Sequence, residues 1–259
     1  MMTVLRLIYR RVPGLLTVVP LIGLWEIAGR SGLFFVLPPF SDILAEAWKL
    51  IVSGRIAEHA GGTFRSLSIG LAISVVAGLT LGVAMGRSRL MEQVFGIYVD
   101  VLMSAPVSAI VPILVLIFGT GRESIIAAVV LFSFFVVVVN TYTGVREVNE
   151  ELIEMARSFG CSEVTLLRRV IMPGALPLTL TGLRLGIGRS FNGAVFGEMI
   201  ISVVGLGGLL LTFGSRFQFA QLYALVIFII ALAVIAMMLF ERLERRLLSG
   251  RFAPAYDDQ

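Results

Sequence analysis

Six apolar runs divide the sequence, at about 12–29, 63–86, 93–118, 122–144, 176–203 and 220–241. A helix of roughly 20 apolar residues crosses the hydrocarbon of a bilayer, where no water can satisfy an open backbone. The runs predict an all-α polytopic membrane protein with about six transmembrane helices joined by short loops. Composition agrees, since 58% of the residues are hydrophobic and only 15% are charged, against about 25% charged in soluble domains.

The basic residues lie at the ends of the runs, so a net charge of +4 points to the bilayer and not to nucleic acid. With the N-terminus inside, thirteen arginines fall on cytoplasmic segments and six basic residues on outer ones. The positive-inside rule then predicts both termini in the cytoplasm. Arg6, Arg10 and Arg11 precede the first run as they would in a signal peptide. No convincing small-x-small cleavage site follows, so the run is read as an uncleaved span.

Three sparse residue types exclude chemistry. The single lysine, Lys49, follows Trp48. A GxxxxGK[ST] phosphate loop needs a lysine after a glycine, so any ATP and Mg used must be bound by another subunit. Cys161 and His59 are each alone, which leaves no intrachain disulfide and no His/Cys metal site. No catalytic residue set is found.

Small residues recur every four positions in the second run: Gly70, Ser74, Gly78, Gly82 and Gly86. Such a ladder lets another helix approach closely, as membrane helices do when hydrophobicity offers no preference. A weaker ladder, Gly182, Gly186, Ser190 and Ala194, marks the fifth run. Pro106 and Pro112 interrupt the third. Freed backbone groups at depth need neighbours or water, so this helix is read as bordering a cavity or gate, with a kinked structural helix as the alternative. Between the first two runs, Pro38-Pro39 breaks the chain. Residues 41–53 carry Ile43, Leu44, Ala47, Leu50 and Ile51 at helical spacing, which predicts an amphipathic helix on the outer surface, read as a solvated linker helix with no role beyond packing.

The cytoplasmic segment 150–173 is unlike the rest. Leu152, Met155, Ala156 and Phe159 form one apolar stripe. Gly160 suits the left-handed residue that ends a helix, and Ser162 suits the cap of a second one. Pro173 and Pro177 are expected to close the unit before the fifth span. The segment reads as two short helices around a glycine turn, a docking knob at the membrane surface, with an ordinary amphipathic loop resting on the bilayer as the alternative.

Glu154-Met155-Ala156, three residues, Gly160, nine residues, then Val170-Ile171-Met172-Pro173 resembles the EAA loop of binding-protein-dependent ABC importer permeases, E-A-A-x3-G-x9-I-x-L-P. Met155, Val170 and Met172 depart from that pattern, each to another apolar residue. LPPFSDILAEAWKLIVSG, GLRLGIGRSFNGAVFGEMI and GLGGLL are similar to segments of the nitrate/sulfonate/taurine branch. The resemblance runs from about Leu37 to Leu248. It implies the type I importer (MetI-like) permease fold in a bacterial inner membrane, with a core at 61–248. An N-terminal part, 1–60, would precede that core and a tail, 249–259, would follow it. It further implies two ATPase subunits docked on the loop, an extracytoplasmic solute-binding protein and a second permease copy in a homodimer. Substrates of that branch are small anions. Glu154, Met155, Ala156, Phe159, Gly160, Ser162 and Pro173 are the coupling residues so expected.

Pathway candidates are Pro106, Arg189, Asn192 and Glu198, since polar groups at membrane depth face the protein interior or water. Interhelical packing is the alternative for Arg189 and Asn192. Arg184 is expected to reach the cytoplasmic face. A secondary transporter or channel acting without an ATPase is the competing reading, although no internal repeat of the kind such proteins carry is found.

Overall fold

A computed structural model describes residues 13–201 and 205–248, and their regular structure is helical throughout. Arg6, Arg10, Arg11 and the tail 249–259 lie outside the described residues. The helices are α1 (Pro13–Arg30), α2 (Phe40–Val52), α3 (Arg55–Arg87), α4 (Arg89–Ser104), α5 (Val107–Phe118), α6 (Arg122–Arg146), α7 (Glu150–Ser158), α8 (Glu163–Leu166), α9 (Met172–Ile201), α10 (Leu206–Ser215) and α11 (Phe219–Leu248). A π-helical turn, Leu167–Ile171, joins α8 to α9.

Among the described residues, four helices are long and apolar enough to cross a membrane: α3, α6, the continuous stretch Glu163–Ile201, and α11. A fifth span results if α4 and α5 count as one, although they bend by 106° at their junction. The cause is Pro106. It has no N–H to continue the ladder and drives the preceding residue out of the α region; Ala105 has ψ 147°. Pro112 sits inside α5 without ending it. The first run forms α1, which is not among the four; Glu26 and Arg30 make its last two turns polar.

Compact packing divides the chain into two units. Among the described residues, one comprises those up to His59 with Leu209–Phe228, the other those of Ala60–Gly208 and those from Ile229 onward. Leu209–Phe228, placed by linear reading in the core, thus groups with the N-terminal part. Aromatic edge contacts tie it there, Trp25 to Tyr223 with centroids 5.6 Å apart and Phe35 to Phe219 at 5.6 Å. In the same unit Trp25 Nε1 donates to the Pro38 carbonyl at 3.1 Å, and Glu26 accepts from the Ser41 backbone at 3.0 Å.

The larger unit is organised around α6, which has no charged residue between Glu123 and Arg146. On one side lies the ladder of α3. Gly70, Gly78, Gly82 and Gly86 rest on Val129, Val137, Thr141 and Val145, and the Ser133 hydroxyl donates to Ser74 at 2.8 Å. Both sets repeat every four residues, so small positions on one helix meet β-branched ones on the other. A Cβ at Gly82 would stand 2.6 Å from Thr141 Cβ and 2.8 Å from the Val138 carbonyl. On another side α9 runs antiparallel, with Gly182 against Asn140, Gly186 against Val137 and Gly193 against Ala128. Phe191 and Ala194 of α9 join Leu67 and Val129 in one buried cluster.

Candidate functional site

The segment Glu150–Ile171 is a capped helical hairpin. The Asn149 side chain accepts from Glu151 N at 2.8 Å, and Glu150 and Glu151 occupy the first turn of α7, where negative charge suits the helix dipole. At the other end Gly160 has φ 75°. Cys161 N donates to the Ala156 carbonyl at 3.2 Å and Gly160 N to Arg157 at 2.9 Å. This paired bonding is a Schellman ending, which needs a left-handed residue at its centre. Ser162 Oγ then accepts from Thr165 N at 3.3 Å and starts α8.

The second arm differs from the sequence expectation. Pro173 and Pro177 do not close the hairpin; the helix runs on from Glu163 to Ile201 for 39 residues. The π turn explains the continuity. Met172 N bonds to the Leu167 carbonyl five residues back, so the ladder is re-spaced just before Pro173, which has no N–H to offer. The hairpin's second arm and α9 are therefore one continuous helix.

Burial fixes the hairpin to the helix bundle. Leu166 and Ile171 are buried with Val145, Val148 and Ala175, and Val83, Ile153 and Ala156 pack against them. Val83 belongs to α3 and Val145 to α6, so both helices hold the hairpin. Glu163 accepts from Arg87 at the end of α3 and from Arg157 at 3.3 Å.

One stripe of the hairpin's outer surface stays apolar, among exposed charged residues. Of the stripe, Ala156 is half-buried, while Leu152, Met155 and Phe159 are exposed, Phe159 by 81%. They line an open groove of about 530 Å³ with Cys161, Arg169, Val170 and Pro173. Glu154 and Ser162 are exposed beside it.

The pathway candidates do not converge. Arg189 and Asn192 are exposed on one face of α9, with Leu185, Phe196 and Ile200. Pro106 marks the α4–α5 break. Glu198 points elsewhere and is 1% exposed. Its Oε2 accepts from Thr63 Oγ1 at 3.0 Å and from Gly207 N at 2.9 Å, while Leu206 N donates to Thr63 Oγ1 at 3.0 Å. This closed set caps the N-terminus of α10, whose first N–H groups have no partner within the helix. Thr63 escaped sequence reading because its partners lie far along the chain; the available signal was the helix start just after Gly205, inside GLGGLL. Arg184 pairs with Glu244 of α11 at 3.7 Å.

Residues 74–249 match the family of binding-protein-dependent transport system inner membrane components. A Bacillus subtilis permease, SsuC, named for aliphatic sulfonate transport, is 29% identical over 245 residues, covering 94% of this chain and 89% of its own. The formylaminopyrimidine transport permease protein ThiX of Halalkalibacterium halodurans is 31% identical over 232 residues, covering 89% and 92%. In fold, the chain is similar to a crystal structure of an amino acid ABC transporter with histidines, at TM-score 0.61 and 20% identity over 79% of this chain and 97% of that one.

Proposed function

The chain belongs to the binding-protein-dependent transport system inner membrane components, the permease subunits of ABC importers, and on that premise we propose that the hairpin Glu150–Ile171 couples it to a separate ATPase. Membership sets aside a secondary transporter or channel working without an ATPase. The carrying observation is a capped hairpin that exposes an apolar stripe among its charged residues. It is capped at Asn149 and Ser162, turned at Gly160 and fastened to α3 and α6, yet it leaves Leu152, Met155 and Phe159 uncovered. An apolar patch on a fixed support marks an interaction surface.

In this reading both termini and the hairpin face the cytoplasm. Two ATPase subunits bind ATP and Mg and dock on the hairpins of two permease copies, and an extracytoplasmic binding protein delivers the solute. The small-residue ladder of α3 is filled by α6, so a second copy meets another face. The solute is a small anion. Arg189 and Asn192 offer a cation and an amide on the exposed face of α9, while the carboxylate of the same helix, Glu198, is buried and held by donors.

Replacing Phe159 with Asp tests the docking role. Membrane insertion and thermal stability should stay at parental values, because Phe159 is exposed, while co-purification of the ATPase is lost. A variant that retains the ATPase at parental stoichiometry overturns the proposal.

A further inference from the structure

The helix α2 has three faces where a surface helix ordinarily has two. Ile43 and Leu50 are buried. Leu44, Trp48, Ile51 and Val52 are exposed, Trp48 by 68%. Asp42 and Lys49 are exposed as well. At 3.6 residues per turn, the buried pair, the apolar quartet and the charged pair each lie roughly a third of a turn from the next. A helix between protein and water needs only a core face and a polar face. A third sector, apolar apart from Ser41 in the first turn, fits a helix that touches protein, hydrocarbon and water together.

The neighbouring chain extends the apolar sector. Leu33, Phe34, Phe35 and Val36, in the turn before α2, are all exposed, Phe35 by 81%. Leu21, Leu24 and Ile27 of α1 are exposed too, so the apolar surface continues from the first helix through the turn. Trp48 lies within the apolar sector, between Leu44 and Val52. An indole with one wet and one apolar end suits the headgroup level of a bilayer.

We propose that α2 is an interfacial helix. It lies along the bilayer with Leu44, Trp48, Ile51 and Val52 in the upper acyl region and Asp42 and Lys49 in water. Lipid is the occupant because a multi-pass permease always has a bilayer beside it, whereas a transient soluble partner typically meets a surface about as polar as the rest of the protein. Lys49 is already paired with Glu46 at 2.7 Å, and Asp42 balances the water face. Attachment is therefore apolar and does not depend on anionic lipid.

The chain has two tryptophans, Trp25 and Trp48, which makes the test direct. The full chain is reconstituted in phosphatidylcholine vesicles with or without lipid brominated high on its acyl chains. Emission of the parent minus that of Trp48→Phe isolates Trp48. Brominated lipid should remove most of this emission, aqueous iodide should remove little, and adding phosphatidylglycerol should change neither result. Quenching by iodide without quenching by bromine would show a solvated helix and overturn the proposal. Protection from both quenchers would show a protein cover, a second copy or a binding protein, and overturn it equally. An independent reading comes from a nitroxide on Ile51→Cys in a Cys161→Ser background. Collision with oxygen should exceed collision with a water-soluble nickel chelate, and the reverse order contradicts lipid contact.

Discussion

The hydroxyl of Thr63 in α3 donates to the carboxylate of Glu198 in α9 at 3.0 Å, across 135 positions of sequence. The same hydroxyl accepts from Leu206 N, so one buried oxygen serves both a helix wall and the start of α10. Glu198 is thus committed to protein donors. Its charge faces the N-terminal dipole of a short helix, which stabilises an anion there.

Thr63→Val should therefore destabilise the protein while Thr63→Ser should not. Valine keeps the shape but leaves Leu206 N and one Glu198 bond without a partner. Leaving a buried group unsatisfied costs about 1–3 kcal/mol. Thermal unfolding in detergent should show a lower Tm for the valine variant and a near-parental one for serine. Equal melting of the two would mean the hydroxyl contributes nothing.

The ladder makes a prediction with opposite signs. Gly82→Ala must push Thr141 and the Val138 backbone aside, and overpacking of this kind costs about 1–3 kcal/mol. Gly96→Ala in α4 meets nothing within 4 Å. There alanine should be neutral or gain up to about 1 kcal/mol from helix propensity. Circular dichroism melts of the two variants should move in opposite directions or differ by that interval. Matching melts would remove the close-approach account of Gly82.

These contrasts mark what could be read without a structure. A four-residue spacing of Gly70, Ser74, Gly78, Gly82 and Gly86 is a local pattern, and the close packing it signals depends only on missing side chains. Which helix fills it is not local, because the matching spacing at Val129, Ser133, Val137, Thr141 and Val145 carries no small-residue signature. Gly160 was legible because a Schellman ending is built from neighbours. Pro173 misled, since a proline ends a helix only when its lost hydrogen bond is not re-spaced, and the π turn re-spaces it. The partners of Glu198 were not legible, because only the fold brings Thr63 and Gly207 to it.

The hairpin should depend on burial more than on its ion pairs. Leu166 is fully buried in the cluster beneath it, and truncating such a leucine costs about 2–5 kcal/mol. Glu163, which joins Arg87 and Arg157, is exposed, and pairs in water are screened and weak. Leu166→Ala should lower solute uptake per ATP hydrolysed in proteoliposomes carrying the ATPase. Glu163→Gln should leave that ratio near the parental value. A reversed order would mean that charge, not packing, sets the hairpin's position.

Gly160 provides the most discriminating substitution because its surroundings are empty. A Cβ there meets no atom within 4 Å, so any penalty comes from the backbone alone. At φ 75° an L-residue pays roughly 1–2 kcal/mol for the left-handed conformation, and a β-branched one more, whereas asparagine adopts it readily. Valine relieves this strain by leaving the left-handed region, which breaks the Schellman bonds from Cys161 and Gly160 and changes the angle between α7 and α8. Asparagine keeps both bonds. Gly160→Val should therefore insert normally but lose most ATP-driven uptake. Gly160→Asn should retain uptake, and Gly160→Ala should fall between them. Uptake and ATP hydrolysis measured together in proteoliposomes give the order. If valine transports as asparagine does, the turn geometry is not what the ATPase engages, and the hairpin's proposed role loses its conformational basis.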